Sequence, residues 1–142
     1  HPGTNDKQFS FNLSVDTGSN YNVAKTSTSF EAFHEEAGGS PNLTYNTSRD
    51  LAQGTGFQQL TANIGDGADE CGSGYLHLFN PSSTTFVKHF ISRTNYYEQS
   101  DYSNEHYIAG YGNTTSAIDA VQFKFGSGNI DSGTIKLYGI KN

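Results

Sequence analysis

Two aspartates stand in short sequence contexts that suit acid–base chemistry. Val15-Asp16-Thr17-Gly18-Ser19 and Ile130-Asp131-Ser132-Gly133-Thr134 share the order apolar residue, Asp, hydroxyl residue, Gly, hydroxyl residue. Two aspartates held in such loops can share one proton and activate water for peptide hydrolysis. The same strings also favour turns, because Asp caps a turn and Gly accepts a positive φ. A chain of 142 residues is short for two catalytic lobes, so we interpret both strings as turns.

Two further groups of residues offer metal-ligand chemistry without a complete ligand set. Asp66, Asp69 and Glu70 lie in a glycine-rich segment and could supply carboxylate oxygens to Ca²⁺, although their spacing is neither that of an EF-hand nor that of an RTX repeat. His77 and His89 flank the turn over 80–86, and a hairpin centred there would set them side by side, as a Zn²⁺ pair requires. The sequence suggests no third ligand. We therefore predict no metal and no cofactor, and leave Ca²⁺ binding by the three acidic residues open.

The segment 94–111 is rich in tyrosine and has the composition of a binding loop. Tyrosine provides a rigid ring and a hydroxyl group at low entropic cost, while the intervening Ser, Asn, Gln and Gly supply adaptable hydrogen bonds. We predict contact with a glycan or with another subunit; alternatively, the rings cap the protein core. No nucleophile elbow or nucleotide-binding loop occurs in the chain, so we predict no catalytic residue. The predicted contact residues are Tyr96, Tyr97, Tyr102 and Tyr107.

The elements that position these residues show a period of two, in which apolar and polar residues alternate as in β-strands. The pattern predicts strands at 9–15, 28–34, 57–64, 75–79, 86–91, 107–111, 121–125 and 134–139, with shorter extended pieces at 21–25 and 43–45. The last two strands are expected to form a hairpin across 126–133, and 35–56 is expected to be a long loop. A strand with one apolar face needs a second layer to cover it. We predict an all-β fold, a two-sheet antiparallel β-sandwich of jelly-roll type with about eight strands.

Composition excludes several function classes. The formal net charge is −6 and no basic run offsets it, so nucleic-acid binding is not expected. No apolar run approaches the ~20 residues that a membrane helix needs, so we expect no membrane insertion. The single cysteine, Cys71, cannot form an intrachain disulfide. We predict one domain over 1–142; because the chain has no Met and starts with His-Pro, we also expect a processed product or a fragment that lacks the upstream sequence of a longer chain.

Several longer motifs resemble those of a known group of proteins. The motifs are Leu76-His77-Leu78-Phe79-Asn80-Pro81-Ser82-Ser83-Thr84-Thr85-Phe86 followed by Lys88-His89-Phe90-Ile91, then Ala109-Gly110-Tyr111, Asn113-Thr114-Thr115-Ser116-Ala117-Ile118, and the stretch from Gly128 to Lys141 that reads GNIDSGTIKLYGIK. They are similar to small proteins, structural or uncharacterised, that are encoded by tailed bacteriophages of marine bacteria. The similarity covers most of residues 9–141 and concerns turns and strands, not a catalytic constellation.

The resemblance implies a component of the virion that is not an enzyme. We expect a capsid-decorating or tail- or fibre-associated protein at the surface of the particle, which stabilises the particle or contacts the host surface. Its expected partners are other virion subunits and copies of itself, with a trimer as the expected form, and a host surface glycan. The alternative is a carbohydrate-binding jelly-roll module of a larger extracellular protein. Neighbouring genes for capsid, portal or tail proteins would favour the virion, and an adjacent glycoside hydrolase the alternative.

Overall fold

The computed structural model describes residues 1–140 and confirms the predicted all-β class. Eight strands form two antiparallel sheets, consistent with a β-sandwich. Over residues 1–140 we find no helix long and apolar enough to cross a membrane. The strands are β1 (Phe9–Ser14), β2 (Lys25–Glu35), β3 (Asn42–Tyr45), β4 (Gln58–Gln59), β5 (Gly72–Leu78), β6 (Lys88–Glu98), β7 (Tyr102–Gly112) and β8 (Ala120–Phe125).

A long central hairpin organises the larger sheet. The strand order is β3-β2-β7-β6-β5 in the five-stranded sheet and β4-β1-β8 in the three-stranded sheet. The strands β6 and β7 are paired from Lys88 opposite Gly112 to Glu98 opposite Tyr102. The turn between them closes with a 3.0 Å hydrogen bond from Asp101 N to Glu98 O, and Asp101 has a φ of 66°. A three-residue hairpin loop commonly ends on such a left-handed residue, a conformation that Asp tolerates better than most.

The core lies between the two sheets and is built from alternate strand positions. Along β6, even-numbered side chains are buried and odd-numbered ones mostly exposed, so one face of the strand points inward. The rings of Phe11 and Phe90 meet edge to face at 5.2 Å and join the sheets. Burying side chains of this size stabilises a fold by about 1.5–3 kcal/mol each. The buried apolar residues are Phe11, Leu13, Val23, Leu60, Ala62, Ile64, Phe90, Tyr96, Ile108 and Phe125.

Most of the predicted strands are confirmed in position, but their lengths differ. Strands β2, β6 and β7 extend well beyond the predicted segments, through polar residues such as those of 94–106. These are the three inner strands of the larger sheet, so backbone hydrogen bonds on both edges hold residues whose composition suggested a loop. Conversely, the strand predicted at 57–64 contains only Gln58–Gln59 and an isolated bridge at Ile64. Residues 21–24 form no strand.

The closing hairpin predicted over 121–139 is wrong. After β8, the chain pairs with the first residues instead: Pro2 bridges Ile130, Gly3 N donates to Asn129 O (2.9 Å) and Asp131 N donates to His1 O (3.1 Å). The link over 126–133 is therefore anchored and does not turn back onto β8. Residues 134–140 belong to no strand despite their regular alternation. Lys141 and Asn142, with which the sequence ends, lie outside the described residues.

Candidate functional site

The outer face of the five-stranded sheet carries a continuous row of large side chains, one from each strand. Neighbours in the row stand directly opposite each other in the strand pairing. Phe30, Tyr45 and Tyr75 are 42%, 49% and 49% exposed. We name this set the aromatic row; it consists of Tyr45 on β3, Phe30 on β2, Tyr107 on β7, Arg93 on β6 and Tyr75 on β5.

The middle of the aromatic row is ordered by stacking. The rings of Phe30 and Tyr107 are parallel within 6°, with centroids 4.8 Å apart, and the Arg93 Cζ lies 5.2 Å from the Tyr107 centroid. Arg93 Nε also donates to the Glu105 carboxylate. This hydrogen bond lowers the pKa of Glu105 and raises that of Arg93. The rings and the guanidinium thus hold one another in place, which reduces the entropy lost when a partner binds.

A shallow groove of about 460 Å³ runs beside the aromatic row on the same face. Its floor includes Thr28 and Ala109, which are directly opposite each other and leave room above the sheet. Aromatic and apolar side chains form much of the remaining lining, including Phe79, Ile91 and Tyr111. The face therefore combines an exposed row with an adjacent apolar groove.

The four predicted contact tyrosines do not form one site. Tyr107 belongs to the aromatic row, whereas Tyr96 is 1% exposed and packs in the core beneath the sheet. Burial raises the pKa of Tyr96 above its ordinary value. Tyr96 is therefore a core residue, which is the role that the alternative interpretation gave to some of these rings. The segment 94–111 is also not a loop, since most of it lies in β6 and β7.

The other two tyrosines lie at the turn end of the same hairpin. The hydroxyl oxygen of Tyr97 lies 2.8 Å from Glu36 Oε2 and 3.0 Å from Asp101 Oδ1, so its single proton is donated to one carboxylate or the other, and these contacts raise the pKa of Tyr97. The ring of Tyr102 meets that of Phe33 edge to face at 5.8 Å. Tyr102 also lines a separate depression of about 200 Å³. Both residues thus lie away from the groove that Tyr111 lines.

The two aspartates have separate structural roles. Asp16 Oδ2 accepts from Asn20 Nδ2 (2.7 Å), while Oδ1 accepts from Asn20 N (2.9 Å) and Ser14 Oγ (2.8 Å). These hydrogen bonds, with the Asn20 side chain contributing most, lower the pKa of Asp16. The Asp131 carboxylate lies 3.8 Å from His1 Nδ1. Asp16 therefore caps a turn, as the sequence predicts, and the two carboxyl groups bind different partners.

The β5–β6 hairpin does not have the register that would set His77 beside His89. His77 lies opposite Ile91, and Phe79 N donates to His89 O (2.9 Å), so the actual pairing is shifted by two residues. The His77 ring contacts Tyr75 and Phe79 instead. Across residues 1–140, we find no group of three or more His, Cys, Asp and Glu side chains placed to hold a metal ion.

The carboxylates of the glycine-rich segment do not gather around a common point. Glu70 folds back on its own loop, where its carboxylate accepts from Gly67 N. Asp66 uses its backbone N to donate to Asn5 Oδ1 (3.3 Å). Within residues 1–140, the structure does not place Asp66, Asp69 and Glu70 together as a group that could hold a metal ion.

Comparisons with protein-family models, curated proteins and solved structures found no match to this chain. Function must therefore be inferred from the surfaces that the chain presents. Sequence reasoning missed most of the aromatic row, including Phe30, Arg93 and Tyr75. The period of two could have placed each of these on the outer face of its strand, but their alignment in one row depends on strand register.

Proposed function

We propose that this protein is a non-enzymatic structural component of a bacteriophage particle. It lies on the particle surface, where it decorates the capsid or belongs to the tail or fibre, and it stabilises the particle or contacts the host. The motif resemblance supports the placement in a virion. The aromatic row supports a role in contact with other subunits, and this row is the single observation on which the assignment of the contact surface depends.

The aromatic row has the composition of a protein contact surface. Tyr and Arg are enriched among the residues that dominate binding energy at interfaces, especially where they are held in place before binding. Here Tyr107 stacks on Phe30 on one side and on Arg93 on the other. Large exposed apolar patches on soluble proteins commonly mark interaction sites. Many weak contacts of this kind become strong when a symmetric particle repeats them.

Contacts made by this surface are expected to be with protein and not with packaged nucleic acid. The chain has 14 acidic and 8 basic residues, and Arg93, the cation within the row, is already paired with Glu105. Phosphate backbones are bound chiefly by free Lys and Arg side chains. The net negative charge of the chain is consistent with the proposed position on the outside of the particle, away from the nucleic acid.

Mass spectrometry of purified phage particles tests the proposal directly. We expect peptides of this chain in density-purified particles at a constant ratio to the major capsid or tail protein. Their absence from such particles would refute the proposal. The ratio would also distinguish many decorating copies from the few copies of a tail or fibre component.

A matched pair of variants tests the aromatic row. Particles assembled with the Phe30→Ser and Tyr107→Ser double variant are expected to retain at least tenfold fewer copies than particles with the native chain. Phe86, which is 68% exposed in the loop between β5 and β6, provides the control, because Phe86→Ser removes an exposed ring outside the row. Equal incorporation of the double variant and the native chain would reject the row as the contact surface.

The groove beside the row favours a second candidate, a carbohydrate-binding module of a larger extracellular protein. The ring of Tyr111, which lines the groove, offers an apolar surface of the kind that packs against the apolar face of a sugar. Glycan-array binding that is lost in Tyr111→Ala but retained in Phe86→Ser would support this function. Binding that survives Tyr111→Ala would place any sugar site elsewhere.

A further inference from the structure

Residues 134–140 form an extended segment whose apolar side chains lie in solvent. Ile135, Leu137, Tyr138 and Ile140 are 58%, 98%, 76% and 86% exposed. None of them lies in a strand of the described chain. An exposed segment with strand-like alternation and free backbone groups is a template for pairing with another strand. We name residues 134–140 the C-terminal segment.

The same molecule presents an acceptor edge of similar length. Strand β8 is the last strand of the three-stranded sheet, and its second edge pairs with no other strand of residues 1–140. Beside this edge, Val121 is 39% exposed and Phe123 is only partly buried. Leu76 and Leu78 of the facing sheet are also partly buried. A fourth strand beside β8 would cover apolar side chains that three strands leave accessible to water.

The C-terminal segment does not pair with the β8 edge of its own copy. The residues just before it are bound to the start of the chain: Gly3 N donates to Asn129 O (2.9 Å), and the His1 ammonium donates to Ser132 O (3.0 Å). These hydrogen bonds fix the residues from which the C-terminal segment starts. Pairing with β8 of a second copy leaves them intact.

We propose that the C-terminal segment of one copy adds as an antiparallel strand beside β8 of a second copy. Main-chain hydrogen bonds would provide affinity, and alternate side chains would provide specificity, as in other cases of strand addition. Reciprocal addition would give a dimer, and head-to-tail addition that closes would give a ring such as a trimer. This inference concerns self-association and does not depend on the role in a virion.

Charge disfavours one of the neighbouring registers of the added strand. Val121 and Phe123 face the core, because they pair with the buried residues Leu13 and Phe11 of β1. Placing Leu137 opposite Val121 and Ile135 opposite Phe123 would direct both apolar side chains toward the same core. In this register Lys136 lies opposite Gln122. A shift by two residues would set Lys136 opposite Lys124, and like charges directly opposite one another destabilise a strand pair.

Disulfide trapping tests the register. Cys71 is exposed, so both partners carry Cys71→Ser; one then carries Gln122→Cys and the other Lys136→Cys. After mixing and mild oxidation, we expect a covalent heterodimer, because each partner has a single cysteine. The control mixes Lys124→Cys with Lys136→Cys and should cross-link at least tenfold more slowly. Equal rates for the two mixtures, or no cross-link in either, would overturn the proposed register and acceptor.

Sedimentation velocity on the full chain tests the role of the C-terminal segment. Leu137→Asp places a charge on the face that would enter the core of the second copy, and Leu137 is 98% exposed, so the protomer itself should fold normally. We expect at least a tenfold rise in the dissociation constant for self-association. Thr134→Asp, on the opposite face of the segment, is the control. With this variant the dissociation constant for self-association should be unchanged or lower. A native chain that remains monomeric, or one that associates as well with Leu137→Asp, would refute the proposal.

Discussion

His106 Nε2 lies 2.6 Å from Ser29 Oγ inside the sandwich, where the two side chains connect β7 with β2. Both residues are completely buried. Burial lowers the pKa of His106 from 6.5 to about 4. The imidazole is therefore neutral in the folded protein under conditions in which an unfolded chain would bind a proton.

The first prediction is a loss of stability in mild acid. Because the folded pKa of His106 is depressed, its contribution to stability is complete above pH 6.5 and is lost as the pH falls from 6.5 toward 4. The shift corresponds to at most about 3 kcal/mol. Urea unfolding between pH 7 and pH 4 measures this loss. His106→Gln should remove this part of the pH dependence. His34→Gln, at an exposed histidine, is the control and should retain it. Identical dependences of the unfolding free energy on pH for the native and His106→Gln chains would contradict the prediction.

The second prediction concerns a buried lysine whose ammonium group donates to neutral oxygen atoms. Lys25 Nζ donates to Val23 O (2.8 Å) and to Asn12 Oδ1, and burial lowers its pKa from 10.5 to about 8. Above pH 8 the folded chain releases this proton before the unfolded chain does, so the free energy of unfolding should rise, by about 1–2 kcal/mol up to pH 9.5. Lys25→Met should lack the rise seen by chemical denaturation. If Lys124→Met, an exposed control, also lacked it, Lys25 would not be its source.

The third prediction tests the close approach of β2 to β7 at Gly110. A Cβ on Gly110 would lie 2.8 Å from Ser27 Cβ and 2.9 Å from Phe90 Cζ, and closer still to Thr26 O. We expect Gly110→Ala to lower the free energy of unfolding by about 1–3 kcal/mol, since the surrounding backbone must move. Gly56 has no atom within 4 Å of the equivalent position. Gly56→Ala should therefore be neutral or slightly stabilising in the same denaturation assay, and a comparable loss in both variants would contradict this steric explanation.

The fourth prediction separates two adjacent tyrosines. Tyr96 is buried in the core, so Tyr96→Ala should cost about 3–5 kcal/mol, as large aromatic truncations in cores do. Tyr97 points to the other face of the strand, where its hydroxyl group donates its one proton to an exposed carboxylate, that of Glu36 or of Asp101. Tyr97→Ala should cost no more than about 1 kcal/mol. Thermal or urea unfolding measures both changes, and equal losses would contradict the observed orientation of β6.

Sequence alone determined the fold class, because the alternation of apolar and polar residues is a local property. Phe9, Phe11 and Leu13 could be assigned to one face of a strand without any knowledge of its neighbours. The Asp16 turn was predictable for the same reason, since its capping partners Ser14 and Asn20 lie within four residues. Composition also indicated many short strands and no long helix.

Only the tertiary structure decided which strands pair and in what register. The strand pairing places Tyr45, Phe30 and Tyr107 on one face of the larger sheet. It also sets His77 opposite Ile91. The C-terminal segment, residues 134–140, belongs to no strand of the described chain. Most of the tyrosine-rich segment 94–111 lies in β6 and β7, which form a hairpin inside the five-stranded sheet. These outcomes depend on hydrogen bonds and contacts between residues far apart in the chain. A shift of two residues in register leaves the alternation pattern of each strand unchanged but changes every cross-strand neighbour.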